Sequence, residues 1–223
     1  MCSATTRADV IAYNIAWLPA VKRNVMRYHM KVNSGRKTDR AAYHHGDLRR
    51  TLVRIARDQI VKSGAQAMTL ASLARLAGVS QPAPYRHFAD RKALLEAVTT
   101  EGFEEFTAAL AAASAAGGRR GSLKAMALAY VAFGESNIEL YRLMFASRLV
   151  PEAGSGSALA TVALDAFNLL REALSVTRPA HRIEEEAQLI WAQLHGLVML
   201  KADGQIRRPL AELVEVSRLF KPS

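Results

Sequence analysis

The chain has 223 residues, half of them hydrophobic, with one cysteine and a formal net charge of +10. This length and apolar content suffice for one large domain or two small ones, and the lone cysteine excludes a disulfide framework and fits a reducing cytoplasm. No apolar run reaches the ~18–20 residues that a membrane-spanning helix needs, so no spanning helix is expected.

The excess positive charge lies in the first half of the chain. Residues 1–100 contain 17 Lys and Arg against 6 Asp and Glu, whereas residues 101–223 contain 13 against 14. This division predicts a polyanionic partner for the first half alone. Charge by itself leaves three interpretations open: nucleic acid, an anionic membrane surface, or a solvated basic face.

Residues 1–42 show no sustained hydrophobic period and end in a polar, basic stretch. We expect them to form a mobile basic arm. An open alternative is that the natural protein starts at Met26 or Met30 and that the residues upstream are an artefact of the assigned start.

Helical periodicity begins near residue 45. The apolar spacing predicts a first helix that Asp47 caps and Gly64 ends. A second, shorter helix over 70–77 is expected to be capped by Thr69.

The stretch 69–88 has the spacing of a helix-turn-helix. Gly78 can adopt the positive φ that a sharp turn between two helices requires, and Ser80 can cap the helix that follows. Pro82 and Pro84 then fall in the first turn of that helix, where N–H groups lack intrahelical partners. We therefore expect the prolines to stiffen the start of this third helix without breaking it.

A helix with a rigid N-terminus is suited to reading double-stranded DNA, because order present before binding does not subtract from the binding free energy. Gln81 can pair with adenine, Arg86 with guanine or phosphate, and the Pro82 ring can touch a thymine methyl. Tyr85, His87 and Lys92 are suited to phosphate contacts. An ordinary helical hairpin would share the turn, but the basic first half favours DNA. The expected DNA-binding residues are Thr69, Ser80, Gln81, Pro82, Tyr85, Arg86, His87 and Lys92.

The sequence TLASLARLAGVSQPAPYRHFADRKALLEAV, preceded by YHHGDLRRTLVRIARDQIVKSGAQAMT, resembles the DNA-binding domain of TetR-family transcriptional regulators. The resemblance is strongest in YRHFADRK, residues 85–92. It implies a three-helix DNA-binding domain at 43–100, joined by a long fourth helix to a helical effector-binding and dimerisation domain at 101–223. The family commonly has a smaller residue where Pro84 stands, so we expect a local displacement of the third helix.

The remaining segments are also helical in pattern. A long fourth helix is expected to begin at the cap Asp90 and to stop before a GGRRG loop at 117–121. No alternating strand pattern of useful length appears, so the predicted fold class is all-α. The further amphipathic segments lie at 122–136, 138–146, 157–176, 183–201 and 209–219.

The second half is expected to bind a small, largely apolar effector, because its helices carry enough aromatic residues to line a cavity. The candidate lining residues are Phe103, Phe106, Tyr130, Phe133, Asn137, Tyr141, Phe145, Phe167, Trp191 and His195. The polar groups suited to orient the effector are His195, Asn137 and Gln193.

The helices at 183–201 and 209–219 carry more apolar surface than one domain could bury, which predicts a homodimer. The candidate interface residues are Leu189, Leu197, Leu213 and Phe220. IWAQLHGLVML and YRLMF resemble segments of one TetR subgroup that carries a Trp-x-x-x-His-Gly motif.

The motifs of an enzyme are missing from the sequence. It contains no Gly-x-Ser-x-Gly, no metal-spaced His/Cys set and no paired-carboxylate site, so no catalysis, metal or cofactor is expected. We predict a DNA-binding regulator, a repressor released by its effector. The alternative is a ligand-binding or adaptor protein whose helix-turn-helix no longer contacts DNA, and salt-dependent binding to a duplex separates the two. Attachment to anionic membrane ranks third, because the charge does not lie on one helix face.

Overall fold

Amphipathic spacing and capping residues arrange the chain into α-helices in a computed structural model that describes residues 45–217 and Phe220. The α-helices of this part are α1 His45–Ser63, α2 Leu70–Ala77, α3 Arg91–Ser136, α4 Ile138–Phe145, α5 Leu149–Glu152, α6 Ala158–Ser175, α7 Ile183–Ala202 and α8 Leu210–Val216. Single 3-10 turns occur at Pro84–Arg86 and Ala180–Arg182. The described residues contain no strand, and none of their helices is long and apolar enough to cross a membrane. The all-α prediction is confirmed, whereas the arm expected at 1–42 lies outside the described residues.

The predicted caps of α2 and α3 are confirmed. The Ser72 N–H donates to the Thr69 hydroxyl at 3.0 Å, and the Ala93 N–H donates to the Asp90 carboxylate at 2.8 Å. Each bond satisfies an N–H that has no partner within the helix. The predicted cap of α1 is wrong, because that helix already begins two residues before Asp47.

Helix α3 folds back on itself at Gly118. This glycine has φ 62° and ψ −177°, a conformation that side-chain-bearing residues rarely adopt. The rings of Phe106 and Tyr130 lie 5.1 Å apart, although a straight helix would separate them by about 36 Å. α3 therefore consists of two antiparallel arms, 91–117 and 119–136. The predicted break is in the right place, but one residue makes the turn and the five-residue loop at 117–121 is wrong.

The two arms of α3 organise the rest of the fold. The first arm packs with α1 and α4, and α1 also packs directly on α2 and α4. α6, α7 and α8 pack against α3 to close the second half. The short helix α5, which the sequence pattern did not predict, contacts α3, α4 and α6.

Two glycines allow helices to approach closely. A Cβ at Gly102 would lie 2.9 Å from the Met144 sulfur, and one at Gly134 would lie 2.5 Å from a Val198 methyl. These contacts fix the first arm of α3 against α4 and the second arm against α7.

Candidate DNA-binding surface and ligand cavity

The segment expected to form the third helix of the helix-turn-helix is not an α-helix. Residues 81–88 form consecutive turns around the 3-10 turn Pro84–Arg86. The Ala83 N–H donates to the Ser80 carbonyl at 2.9 Å, an i to i−3 bond. Pro84 has no N–H to donate to the Ser80 carbonyl, so the first α-helical hydrogen bond after Ser80 cannot form, and an i to i−4 bond appears only later, where the Phe88 N–H donates to the Pro84 carbonyl at 3.0 Å. The expectation that the prolines would leave this helix unbroken is wrong.

The turn before this segment is as predicted. Gly78 has φ 66°, in the left-handed region, and the Val79 N–H donates to the Ala74 carbonyl at 3.0 Å. Ser80 does not cap a following helix, because the 3-10 turn begins only after Ala83. The predicted capping role of Ser80 is therefore wrong.

Residues 81–86 nevertheless present polar and cationic side chains to solvent. Gln81, Pro82 and Arg86 are exposed, and Tyr85 is 55% exposed. His87 is half-buried, while the neighbouring apolar side chains turn inward. The structure thus brings four of the predicted DNA-contacting residues together on one exposed segment.

Two arginines that the sequence reasoning missed hold this surface in place. The Arg91 guanidinium donates to the Met68 carbonyl at 2.8 Å and to the Ala65 carbonyl at 2.7 Å. The Arg49 guanidinium lies 5.3 Å from the centre of the buried Phe88 ring, a cation–π arrangement. Their partners are 23 to 39 residues away, so no local pattern reveals these roles.

The other two predicted DNA-contacting residues lie next to the ends of the Arg91–Met68 contact: Thr69 follows Met68, and Lys92 follows Arg91. The side chains of both already have partners within the protein. The Thr69 hydroxyl accepts the capping hydrogen bond of α2. The Lys92 ammonium lies 3.3 Å from a Glu152 carboxylate oxygen, and the Arg148 guanidinium donates to the other oxygen at 2.9 Å. These two cations lower the pKa of Glu152. Lys92 therefore connects the expected DNA surface to α5.

A cavity of about 420 Å³ lies in the second half, within the range of small-molecule sites. Six of the predicted aromatic residues line it. They are Phe103, Phe106, Tyr130, Phe145, Phe167 and Trp191. The other lining residues named by the structure are apolar, and they come from α3, α4, α5, α6 and α7.

Four predicted lining residues do not line the cavity. Phe133 packs into the core 5.1 Å from the Phe106 ring, and Asn137 donates to the Phe133 carbonyl at the junction of α3 and α4. Tyr141 and His195 lie behind the wall. Gln193, the further polar candidate, is exposed and also not part of the lining.

Tyr141 and His195 support the wall through a chain of hydrogen bonds. The Tyr130 and Tyr141 hydroxyl oxygens are 2.8 Å apart, and the Tyr141 hydroxyl lies 2.9 Å from His195 Nδ1. Burial raises the pKa of both tyrosines well above their usual range, and burial lowers the pKa of His195. All three groups are therefore uncharged near neutral pH.

The predicted dimer residues occupy different environments. Leu189 is 65% exposed on α7, whereas Leu197 and Leu213 are half-buried. Phe220 is buried within its own chain, so its predicted place at an interface is wrong. Leu200, which the sequence reasoning missed, is exposed three helical turns after Leu189 and lies on the same face of α7.

The chain is similar to two described protein families and to several solved structures. Residues 52–98 match "Bacterial regulatory proteins, tetR family", and residues 123–219 match "Tetracyclin repressor-like, C-terminal domain". No curated protein matches it.

The similar solved structures cover most of the chain. A protein of unknown function from Rhodococcus sp. RHA1 is 34% identical over 78% of this chain and 93% of that chain, with a TM-score of 0.69. A regulatory protein of the tetR family from Rhodococcus RHA1 is 18% identical over 78% and 97%, with a TM-score of 0.60. The regulator FadR from Bacillus subtilis, solved with stearoyl-CoA, is 13% identical over 77% and 95%, with a TM-score of 0.60.

Proposed function

Because the chain belongs to the TetR family of bacterial regulatory proteins, we propose that it is a transcriptional repressor that a small apolar effector releases from DNA. Members of this family regulate transcription and are not enzymes, which agrees with the expectation from sequence. The proposed repressor has a DNA-binding domain at 43–100 and an effector-binding and dimerisation domain at 101–223.

The observation that carries the DNA-binding role is the exposed segment 81–86. Its backbone is constrained by two prolines, and Arg91 ties the start of α3 to the segment before α2. Side chains held by a rigid segment lose little entropy when they bind. We propose that Arg86 and Gln81 contact bases and that Tyr85 contacts phosphate.

The effector role rests on the apolar cavity and on the helices that it shares with the DNA-binding half. α5 supplies Val150 and Pro151 to the cavity, and its next residue, Glu152, pairs with Lys92 at the start of α3. A ligand that favours one position of α5 therefore changes the surroundings of a lysine expected to contact phosphate. The ligand shifts this balance only by its different affinities for the two states, and a coupling of ~1–3 kcal/mol is typical.

The similarities agree with an effector but do not identify it. The fold neighbour solved with stearoyl-CoA, whose acyl chain is apolar and whose CoA group is charged, supports the proposal that a protein of this fold accommodates an apolar chain. Trp191, His195 and Gly196 support assignment to the subgroup with the Trp-x-x-x-His-Gly motif. In that assignment the tryptophan lines the cavity and the histidine supports its wall.

We further propose a homodimer formed through the outer face of α7. Leu189 and Leu200 are both exposed there, and a Cβ at Gly196 between them would meet no atom of the same chain within 4 Å. An apolar stripe with a glycine near its centre suits the close approach of a second copy. A dimer would place two DNA-binding segments on one duplex and so engage two half-sites.

The proposal is tested first by selecting binding sites for the purified protein from a random DNA library, with its own promoter region as a second source. Arg86→Ala should then weaken binding to the selected site by ~1–3 kcal/mol, because one specific contact is lost. Arg208→Ala is the matched control, since Arg208 is an exposed arginine at the far end of the chain. Equal binding by the two variants would contradict the assignment of the 81–86 segment.

The second candidate function is a ligand-binding or adaptor protein that has lost DNA binding. The absence of an α-helix at 81–88 is the observation that favours it, since a helix commonly enters the major groove in helix-turn-helix proteins. Titration with duplex DNA at several salt concentrations decides between the two. A DNA reader loses affinity steeply as salt rises, because phosphate contacts release counterions.

A further inference from the structure

The polar groups of the cavity wall are few and specifically placed. Among the lining residues that the structure describes, none carries a charged side chain. The polar side-chain atoms of these lining residues are the Tyr130 hydroxyl and the indole N–H of Trp191. A ligand that fills this cavity therefore meets hydrocarbon on most sides and one polar spot.

Tyr130 is held in place from behind. Its ring packs edge-on against Phe106 at 5.1 Å, and its hydroxyl is bonded to Tyr141, which is bonded in turn to His195. Tyr130 and Tyr141 are each at most 5% exposed, so neither hydroxyl exchanges these partners freely with water. A buried polar chain of this kind fixes the position of its terminal group.

The direction of the hydrogen bonds decides what Tyr130 offers to the cavity. When His195 Nδ1 accepts, Tyr141 donates to it and Tyr130 donates to Tyr141, so Tyr130 offers a lone pair. When Nδ1 carries the hydrogen, each bond reverses and the Tyr130 O–H is free to donate. A ligand hydroxyl can both donate and accept, so it fits either direction.

We infer that the effector is an uncharged molecule whose polar group, a hydroxyl or a similar neutral group, contacts the Tyr130 hydroxyl. Tyr130 determines the preference for a neutral polar group over a charged one, and Tyr141 and His195 are its positioning residues. The inference rests on the proposed effector site. A carboxylate or ammonium group placed beside Tyr130, which is 5% exposed, would be buried against a described wall that supplies no opposite charge, and such burial is costly. The high pKa of both phenols adds to this exclusion, since neither becomes a counter-charge near neutral pH.

The size of the cavity sets the scale of the ligand. About 420 Å³ equals the volume of roughly 14 water molecules at ~30 Å³ each, so a molecule with on the order of ten to fifteen non-hydrogen atoms fits. A ten-carbon chain is therefore a suitable probe. It can be obtained with a neutral, an anionic, a cationic or no polar end.

The experiment uses the full-length protein and displacement of the neutral dye Nile red by n-decane, 1-decanol, decanoate and decylammonium at pH 7.5. We expect 1-decanol to bind at least ~10-fold more tightly than either charged probe, because of the missing counter-charge. Tyr130→Phe should reduce 1-decanol affinity ~3–10-fold, the effect of one net hydrogen bond, and leave n-decane affinity unchanged. Tyr141→Phe should also reduce 1-decanol affinity, because it removes the hydroxyl that positions Tyr130. Tyr85→Phe, at an exposed tyrosine, should leave 1-decanol affinity unchanged.

Each outcome has a distinct meaning. If decanoate or decylammonium binds as tightly as 1-decanol, or if Tyr130→Phe binds 1-decanol like the wild type, the inference is wrong while the effector site stands. If none of the probes displaces the dye, the effector site itself is wrong and the inference fails with it. Urea unfolding of each variant shows whether it folds. If Tyr130→Phe does not fold, Tyr141→Phe takes its place as the test, because it perturbs the same chain of hydrogen bonds.

Discussion

Gly134→Ala should destabilise the protein, because α3 and α7 leave no space for a side chain at this position. The added Cβ would lie 2.5 and 2.7 Å from the two methyl carbons of Val198, far inside ordinary contact distance. Val198 is 1% exposed and lies on a helix, where valine strongly prefers one rotamer, so it cannot turn away freely. Overpacking of this kind costs ~1–3 kcal/mol.

The helix propensity of alanine offsets part of that cost. Replacing glycine by alanine inside a helix stabilises it by about 1 kcal/mol. With a clash at the upper end of the range, we expect a net loss of about 2 kcal/mol for Gly134→Ala. The matched control is Gly121→Ala on the same arm of α3, where the new Cβ meets no atom within 4 Å and the propensity gain of ~1 kcal/mol should appear alone.

Urea unfolding followed by circular dichroism measures both effects, at several protein concentrations because dimerisation adds to stability. Val198→Ala combined with Gly134→Ala removes both clashing methyl groups. The double variant should therefore be more stable than the sum of the single effects by at least ~1 kcal/mol. A Gly134→Ala protein as stable as Gly121→Ala, or purely additive behaviour, would refute the close contact between the second arm of α3 and α7.

Three further predictions concern function and pH. Glu152→Gln removes the nearer of the two carboxylates beside Lys92, the other being Glu96 at 4.0 Å, so affinity for non-specific duplex DNA should rise, and the slope of log K against log salt should steepen by up to about 0.9, the value for one phosphate; an unchanged slope counts against this role. Leu189→Glu combined with Leu200→Glu should give a monomer by light scattering with weakened operator binding, whereas a persistent dimer would place the interface elsewhere. Burial lowers the pKa of His195, so the unfolded chain binds the proton more readily and the free energy of unfolding should fall as pH drops below ~6.5. His195→Gln should therefore flatten the plot of urea midpoint against pH in this range. A plot that the substitution leaves unchanged would contradict a role of His195 in this pH dependence.

Features that depend only on neighbouring residues could be predicted from the sequence. Thr69 and Asp90 were predicted as caps because a helix start needs a side-chain acceptor within three residues of an unpaired N–H. Gly78 was predicted as the turn because few other residues adopt its positive φ. The apolar periods likewise predicted α4, α6 and α7 to within two residues at each end.

Local reasoning was wrong where two local effects competed. At Pro82 and Pro84 the tolerance of proline in a first turn competed with the loss of N–H donors, and the segment became a 3-10 turn. At 117–121 the glycines predicted a loop. The structure needs only Gly118 to reverse direction, because packing between the two arms of α3 keeps the rest of the stretch helical.

Only the tertiary structure decided which aromatic residues face the cavity and which support it. Tyr130 and Tyr141 are both buried tyrosines on helices, and the sequence gives no reason to separate them. The fold-back of α3 brings Tyr130 to the wall, while α4 and α7 bring Tyr141 and His195 behind it. These contacts join residues 11 and 54 positions apart, and their geometry depends on how whole helices pack. Periodicity reports that a side chain points inward, but the partner it meets is set by the other helices.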